Sequence, residues 1–227
     1  MLRIAALILI FIHILATAQV GTAEEVLFED TFDSGLSPKW SVVGLKKEDY
    51  RIKDGGLEMR VHPGKATKET PMLMVLLPFD TSESVTASVE LTVLDRFTEQ
   101  AEAAGLFLTD EDNREFSAEK MNVNGHLVFS PPDVEFIGKE GTEGDPQQYA
   151  LKFWPANDEC GAIRIIVRGD YGYFQVGPSS EGKYLNFFHS ALRPKEPKRG
   201  FALSASGGPT DKEHWVRFDN FRVVRNK

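Results

Sequence analysis

Cysteine is almost absent from the 227-residue sequence, in which Cys160 is the only one. No intramolecular disulfide can form, so core packing alone must hold the fold, and small disulfide-stapled modules are excluded. Positive charge is also in deficit, because 26 Lys and Arg stand against 34 Asp and Glu for a formal charge of −8. An acidic chain repels phosphate backbones, which argues against a nucleic-acid partner. Cys160 follows two acidic residues, a setting that blunts a thiol nucleophile, and we interpret it as structural or incidental.

Long apolar runs are missing except at the start of the chain. Arg3 precedes an apolar stretch at residues 4–15, and small residues follow at 16–18 and again at 21–23. This order is typical of a secretory signal peptide, whereas a bilayer-spanning helix needs about 20 apolar residues. We therefore predict a signal peptide at residues 1–23, export to the periplasm or the extracellular space, and no stable membrane insertion after cleavage. An uncleaved membrane anchor is the alternative.

The sequence lacks the short motifs of several enzyme classes. It contains no Gly-x-Ser-x-Gly elbow for a catalytic serine, no His-x-x-x-His spacing among its five histidines, and no glycine-rich phosphate loop with its lysine. These motifs supply the nucleophile, the zinc ligands and the phosphate cradle of their respective enzymes. The sequence gives no support for those three classes.

Apolar residues recur at every second position. The clearest case is Val85, Ala87, Val89, Leu91 and Val93, which alternate with polar residues. This period is typical of a strand with one buried and one solvated face. Eleven or more such short runs, separated by turn signals and with almost no helical pattern, predict an all-β fold. We expect an antiparallel two-sheet jelly-roll sandwich forming one domain over residues 24–227.

Three local patterns occur in order along the chain. Residues 28–36 read FEDTFDSGL and are followed by Trp40 and by RIKDGGLEM at 51–59; residues 104–108 read AGLFL; residues 216–223 read VRFDNFRV. Together they resemble the concanavalin A-like lectin/glucanase superfamily, in particular laminin-G-like jelly rolls and the 3-keto-disaccharide hydrolase-like domain. The resemblance implies two curved sheets, adjacent first and last strands, and a sheet face that meets saccharides with or without catalysis. The Glu-x-Asp-x-x-Glu motif of the glucanase members is absent here.

Strand parity also predicts a carbohydrate-binding surface. If Ile163, Ile165 and Val167 face the core, their neighbours face outward, and the same parity can be assigned to a strand at 149–154 and to the strand after residue 170. Aromatic faces cover the C–H side of a sugar ring, while long polar side chains reach its hydroxyl groups. The predicted binding residues are Lys152, Trp154, Arg164, Arg168, Tyr171, Tyr173 and Gln175. The alternative is that these are ordinary amphipathic residues covering a sheet.

A structural cation is a further hypothesis. Glu29, Asp33 and Asp219 fall in the first and last strand regions, which the resemblance places together, and carboxylate oxygens suit Ca²⁺. The alternative is that residues 33–35 form a turn and that Asp219 and Asn220 form a bulge. We expect no other cofactor.

Three functions remain open from the sequence. The first is a secreted, non-catalytic carbohydrate-binding or laminin-G-like recognition module whose partner is a poly- or oligosaccharide. The second is an enzyme, either a glycoside hydrolase or a 3-keto-glycoside-cleaving protein, which uses an unrecognised acidic pair. The third is a structural envelope protein without a small ligand.

Overall fold

The computed structural model describes residues 24–64, 70–77, 79, 82–110, 114–130, 154–192 and 199–226. The predicted signal peptide and Lys152 lie outside these ranges, so both stay predictions. Within the described ranges, no helix has the length and hydropathy needed to cross a membrane.

The described residues form sixteen β-strands and a single 3-10 turn at Lys47–Asp49. The strands are β1 (Glu25–Asp30), β2 (Ser41–Val43), β3 (Tyr50–Lys53), β4 (Gly56–Arg60), β5 (His62–Pro63), β6 (Met72–Leu76), β7 (Ser84–Val93), β8 (Ala103–Asp110), β9 (Arg114–Val123), β10 (His126–Ser130), β11 (Trp154–Pro155), β12 (Gly161–Arg168), β13 (Tyr171–Gly177), β14 (Leu185–Ala191), β15 (Arg199–Gly208) and β16 (Trp215–Asn226).

These strands make two sheets of eight. The first sheet has the order β14-β13-β12-β7-β16-β4-β3, with β1 also paired to β16. The second has the order β11-β10-β9-β8-β15-β6-β2, with β5 also paired to β15. Adjacent strands are antiparallel apart from the short β5 and β15 pair. The first and last strands of the domain lie side by side, and the all-β, antiparallel, two-sheet prediction is confirmed.

One apolar layer fills the space between the sheets. The alternating residues of β7 predicted to face inward are buried, as are Ile163, Ile165 and Val167 of β12. Leu57 and Met59 of β4 join the same cluster, together with Leu106 of β8 from the other sheet. Each strand therefore turns one face to the core and the other outward, as its two-residue period requires.

Three strands of the second sheet, β6, β8 and β15, carry apolar residues on both faces. Leu73 of β6 faces the main core, while Met72 and Met74 form a separate buried cluster with Phe107 and Ala202. Continuous apolar sequence is what a strand buried on both sides needs. This explains why these segments show no alternation in the sequence.

A buried carboxylate organises the connection after β1. Asp30 accepts hydrogen bonds from the backbone N–H of Phe32 at 2.9 Å, from the backbone N–H of Ser37 at 3.0 Å, and from the indole Nε1 of Trp40 at 2.8 Å. The Trp40 ring packs against Phe221 of β16 at 4.8 Å between ring centroids. Asp30 therefore holds the connection between β1 and β2 against the core.

Lys120 of β9 is a fully buried lysine at the edge of the core. Its Nζ donates to the backbone carbonyls of Asn157 at 2.9 Å and Glu159 at 2.7 Å. Desolvation lowers the Lys120 pKa to about 8, and electrostatic interactions with Cys160, Asp158 and Glu159 oppose that shift. The ammonium group thus ties the segment before β12 to the second sheet.

Glu102 and His214 form a buried polar pair between two connections of the sandwich. His214 Nδ1 lies 2.6 Å from Glu102 Oε1, and both side chains are buried. The other oxygen of Glu102 accepts the backbone N–H groups of Thr98 and Glu99. This arrangement holds the β7 to β8 connection against the start of β16.

We expect Asp30→Asn to lower the free energy of unfolding by about 3 kcal/mol, because it leaves buried N–H donors without a charged acceptor. Chemical denaturation of wild type and variant measures this difference. Asp33→Asn is the matched control: Asp33 is exposed and accepts only the Thr31 hydroxyl among the described residues, so its cost should stay below about 0.5 kcal/mol. Equal costs for the two variants would show that Asp30 has no special role.

The lowered pKa of Lys120 predicts that the free energy of unfolding depends on pH. Its pKa is about 8 in the folded chain against 10.5 as the ordinary value, so between these values the unfolded chain holds the proton that the folded chain has lost. Stability should therefore rise with pH across that window, by about 3 kcal/mol in full, and show no Lys120 contribution to the slope below pH 8. The measurement is the difference in unfolding free energy between wild type and Lys120→Met from pH 7 to 10.5. Both proteins should carry Cys160→Ser, because the thiol titrates in the same range.

Candidate functional site

Five of the predicted binding residues share the outer face of the first sheet. Arg164 and Arg168 point away from the core of β12, and Tyr171, Tyr173 and Gln175 do the same on β13. In register, Arg164 lies opposite Gln175 and Arg168 lies opposite Tyr171. The parity prediction is confirmed for these five positions, and we call them, with the partners described below, the outer face.

Cross-strand contacts with β14 order this surface. Tyr173 lies opposite His189, and their rings stack with centroids 5.9 Å apart at an interplanar angle of 26°. Gln175 lies opposite Asn186, and its Nε2 donates to Asn186 Oδ1 at 2.5 Å. An aromatic pair and an amide pair thus lie side by side on neighbouring positions of two strands.

A cation–π contact extends the surface toward the β13 to β14 connection. The Arg164 guanidinium carbon lies 3.5 Å from the centre of the Tyr184 ring. Burial raises the pKa of the Tyr184 hydroxyl, and the Arg164 charge partly offsets that rise. The ring is therefore a neutral phenol at physiological pH, held in place by the guanidinium over its face.

Sequence parity missed Tyr184, Asn186 and His189. Two adjacent phenylalanines, Phe187 and Phe188, interrupt the alternation of β14, and the register between β13 and β14 shifts at this point. A bulge adds one residue to a strand and so reverses its inward and outward pattern. The aromatic and amide residues on either side of that pair were the available signal.

The structure corrects the expected position of Trp154. We expected its strand to neighbour β12 in one sheet, but β11 belongs to the second sheet, where Trp154 lies opposite Phe129 of β10. Parity assigns a residue to one side of its strand and carries no information about the sheet that the strand joins. Trp154 therefore does not extend the outer face across a third neighbouring strand.

Two carboxylates also lie on the outward side of the first sheet. Glu90 of β7 is in register with Asp219 of β16. Glu90 accepts hydrogen bonds from the Ser180 backbone N–H at 2.7 Å and from Asn220 Nδ2 at 3.0 Å. Desolvation opposes these bonds, but together they lower the Glu90 pKa. Burial, with the Glu90 charge, raises the pKa of Asp219 despite the bonds from Asn220 and Arg217.

Cys160 lies beside this carboxylate pair. Its Sγ is 3.7 Å from Glu90 Oε2. Burial and the Glu90 charge raise the pKa of the thiol, while the Lys120 charge opposes that rise. The thiolate is disfavoured, in agreement with our interpretation of Cys160 as a poor nucleophile.

The three residues of the calcium hypothesis have other neighbours. Glu29 lies 3.8 Å from Arg222 Nε, and Asp33 accepts the Thr31 hydroxyl. Asp219 takes part in the bulge of β16, where the register shifts, so the bulge alternative is confirmed. Nowhere in the described part of the chain do three or more His, Cys, Asp or Glu side chains gather into a metal-binding group. The calcium site stays a prediction.

No protein-family model and no curated protein matches this sequence. Solved structures do share its fold. A GH43 protein from Bacillus licheniformis has a TM-score of 0.61 at 13% identity over 86% of this chain, and peanut lectin has 0.57 at 12% over 90%. The CBM2 module of the evolved Dit of Lactobacillus casei BL23 phage J-1 has 0.58 at 12% over 90%.

The matches differ in how much of the other protein they cover. The chain covers 98% of peanut lectin and 97% of the CBM2 module, but only 39% of the Bacillus licheniformis GH43 protein and 40% of a Bacteroides ovatus GH43 protein. Identities this low establish the fold alone. The chain shares the two-sheet antiparallel jelly-roll sandwich fold of these proteins, as the resemblance implied.

Proposed function

We propose that this chain is a secreted, non-catalytic carbohydrate-binding module and that the outer face is its saccharide-binding surface. One observation carries the proposal: the Tyr173 and His189 rings lie next to the Gln175 and Asn186 amides, with the Arg164 guanidinium on the same side of the sheet. The partner is a poly- or oligosaccharide.

This arrangement suits a sugar chain because each pyranose has an apolar C–H face and a rim of hydroxyl groups. Aromatic rings contact the C–H face, and amide or guanidinium groups exchange hydrogen bonds with the hydroxyls. Tyr171, with 49% of its surface exposed, leaves a ring free to meet a ligand. Strand spacing places successive outward side chains on β13 about 7 Å apart, which gives the surface a row of contacts along a polymer.

The fold comparisons support the ligand class without deciding it. Among the solved structures with this fold, one is named as a lectin, one as a carbohydrate-binding module and several as GH43 proteins. The two binding proteins are matched over almost their whole length. The predicted signal peptide at residues 1–23 supports a location in the periplasm or outside the cell, where polysaccharides are met.

A glycoside hydrolase is the second candidate, and the Glu90 and Asp219 pair is the observation that favours it. Such enzymes combine an acid of raised pKa with an ionised carboxylate, and the shifts of Asp219 and Glu90 have these directions. However, both Glu90 oxygens already accept hydrogen bonds from Ser180 and Asn220. Because these bonds occupy both carboxylate oxygens of Glu90, we favour saccharide binding over catalysis.

We expect Tyr173→Ala to weaken polysaccharide retention by about tenfold, because a lost ring contact of about 1.4 kcal/mol corresponds to that factor. Affinity gel electrophoresis with xylan, cellulose derivatives, laminarin and alginate measures retention. The unfolding temperature should change by only a few degrees, because Tyr173 lies outside the core.

Trp215→Ala is the matched control for Tyr173→Ala. It removes a ring from the outward side of β16, away from β12 to β14 in the same sheet, where the Arg51 guanidinium lies 4.1 Å from the Trp215 ring centre. Retention of the Trp215 variant should equal that of wild type. Loss with Trp215→Ala and normal retention with Tyr173→Ala would move the binding surface to the part of the sheet formed by β16, β4 and β3.

We expect no reducing sugar to be released from the same polysaccharides by the wild-type protein, and Glu90→Gln and Asp219→Asn should both still bind them. The colorimetric reducing-end assay measures release. Hydrolysis by wild type that disappears in both variants would replace the binding module with the glycoside hydrolase.

A further inference from the structure

A cavity of about 660 Å³ lies at one end of the sandwich and shares no lining residue with the outer face. Its volume falls in the range of small-molecule sites. Phe97 and Leu127 form its apolar side, and both pack on the main core. The turn between β9 and β10 and the segment Pro155 to Asp158 form the rest of its wall.

Hydrogen bonds hold both walls of this cavity in place. Asn124 and Gly125 make a two-residue hairpin turn with φ of 51° and 81°, and the Asn124 N–H donates to Gln100 Oε1 at 2.9 Å. On the other side, the Ala156 N–H donates to the Leu127 carbonyl at 2.9 Å, and Lys120 Nζ holds the Asn157 carbonyl. The walls are formed before any ligand arrives, which reduces the entropy lost on binding.

Asn122 lies in the cavity wall with an incomplete set of hydrogen bonds. The residue is only 3% exposed. Its Nδ2 donates to the Glu99 carbonyl at 2.8 Å, but its Oδ1 has no donor among the residues that the structure describes. A buried acceptor left without a partner costs about 1–3 kcal/mol. Oδ1 is itself buried, so a small rotation of the Asn122 side chain toward the cavity would let a ligand hydroxyl remove that cost.

Two charged side chains complete the cavity lining. No hydrogen bond or ion pair of the exposed Arg96 guanidinium is found within the described ranges, and Asp158 is a second charged residue of the lining. The two charges cancel in sum, so these side chains favour neither an anion nor a cation over a neutral ligand. Both groups form strong hydrogen bonds with hydroxyls.

We propose that this cavity binds the terminal ring of a neutral saccharide, separately from the outer face. Asn122 Oδ1 accepts a hydrogen bond from a sugar hydroxyl, Arg96 donates to ring or hydroxyl oxygens, and Phe97 and Leu127 contact the C–H groups. The inference rests on the proposed function for its class of ligand, but on different residues for its position.

The test is an NMR titration of the ¹⁵N-labelled protein with glucose, galactose, xylose and arabinose, each as the free monosaccharide. The backbone amides of Asn124, Gly125 and Ala156 should shift with at least one sugar. Arg96→Gln should raise the dissociation constant about tenfold, the loss expected for one charge-assisted hydrogen bond. Asn122→Leu should raise it by a similar factor, and Lys47→Gln, on the exposed 3-10 turn away from both sites, is the matched control without effect on this constant.

Arg96 is exposed, so its variant tests the proposal even if Asn122→Leu is unstable. Unchanged affinity in Arg96→Gln, or sugar-induced shifts confined to amides of β13 and β14, would overturn the cavity site and leave the outer face standing. Shifts at the cavity without any effect of Tyr173→Ala on polysaccharide retention would support the cavity site and overturn the outer face. If no amide shifts with any of these sugars and no polysaccharide is retained, both proposals fail.

Discussion

Burial of one apolar layer between two sheets is the constraint on which the rest of this structure depends. With no disulfide available, the chain must gain its stability from this layer, and the central strands β7, β12 and β16 carry its side chains at every second position. The same alternation sends the intervening side chains to the surface. The outer face is therefore a geometric consequence of the core: Arg164 is outward because Ile163 and Ile165 are inward.

Hydrogen bonds compensate three of the polar groups at this layer for their loss of water. Asp30 is met by three N–H donors, Lys120 by two carbonyls, and Glu102 by His214 and two backbone N–H groups. In each case the buried group holds a connection between strands in place. Asn122 departs from this pattern, since its Oδ1 has no donor in the part of the chain that the structure describes, and that departure marks the end cavity.

The sequence predicted the fold and five of the eight outer-face residues, because both follow from short-range parity. β7, β12 and β13 could be assigned to two faces from their own residues. β9 could not, because Lys120 and Asn122 occupy inward positions that a two-residue period reserves for apolar side chains. β14 was missed because its bulge reverses the pattern, and Trp154 was misplaced because pairing is a long-range choice that local alternation does not encode. The end cavity has no sequence signal, since its walls come from three distant segments.

The two proposed sites differ in how they prepare for a ligand. On the outer face, side chains already contact one another across strands, so a sugar must insert beside the Tyr173 and His189 stack or exchange bonds with the Gln175 and Asn186 pair. Such a surface is preorganised yet shallow, which suits many weak contacts along a polymer. In the cavity, the backbone walls are rigid and an acceptor lacks its donor, which suits one ring and penalises ligands without a hydroxyl at that position. A chain that used both would hold a polymer along its length and select it by its end.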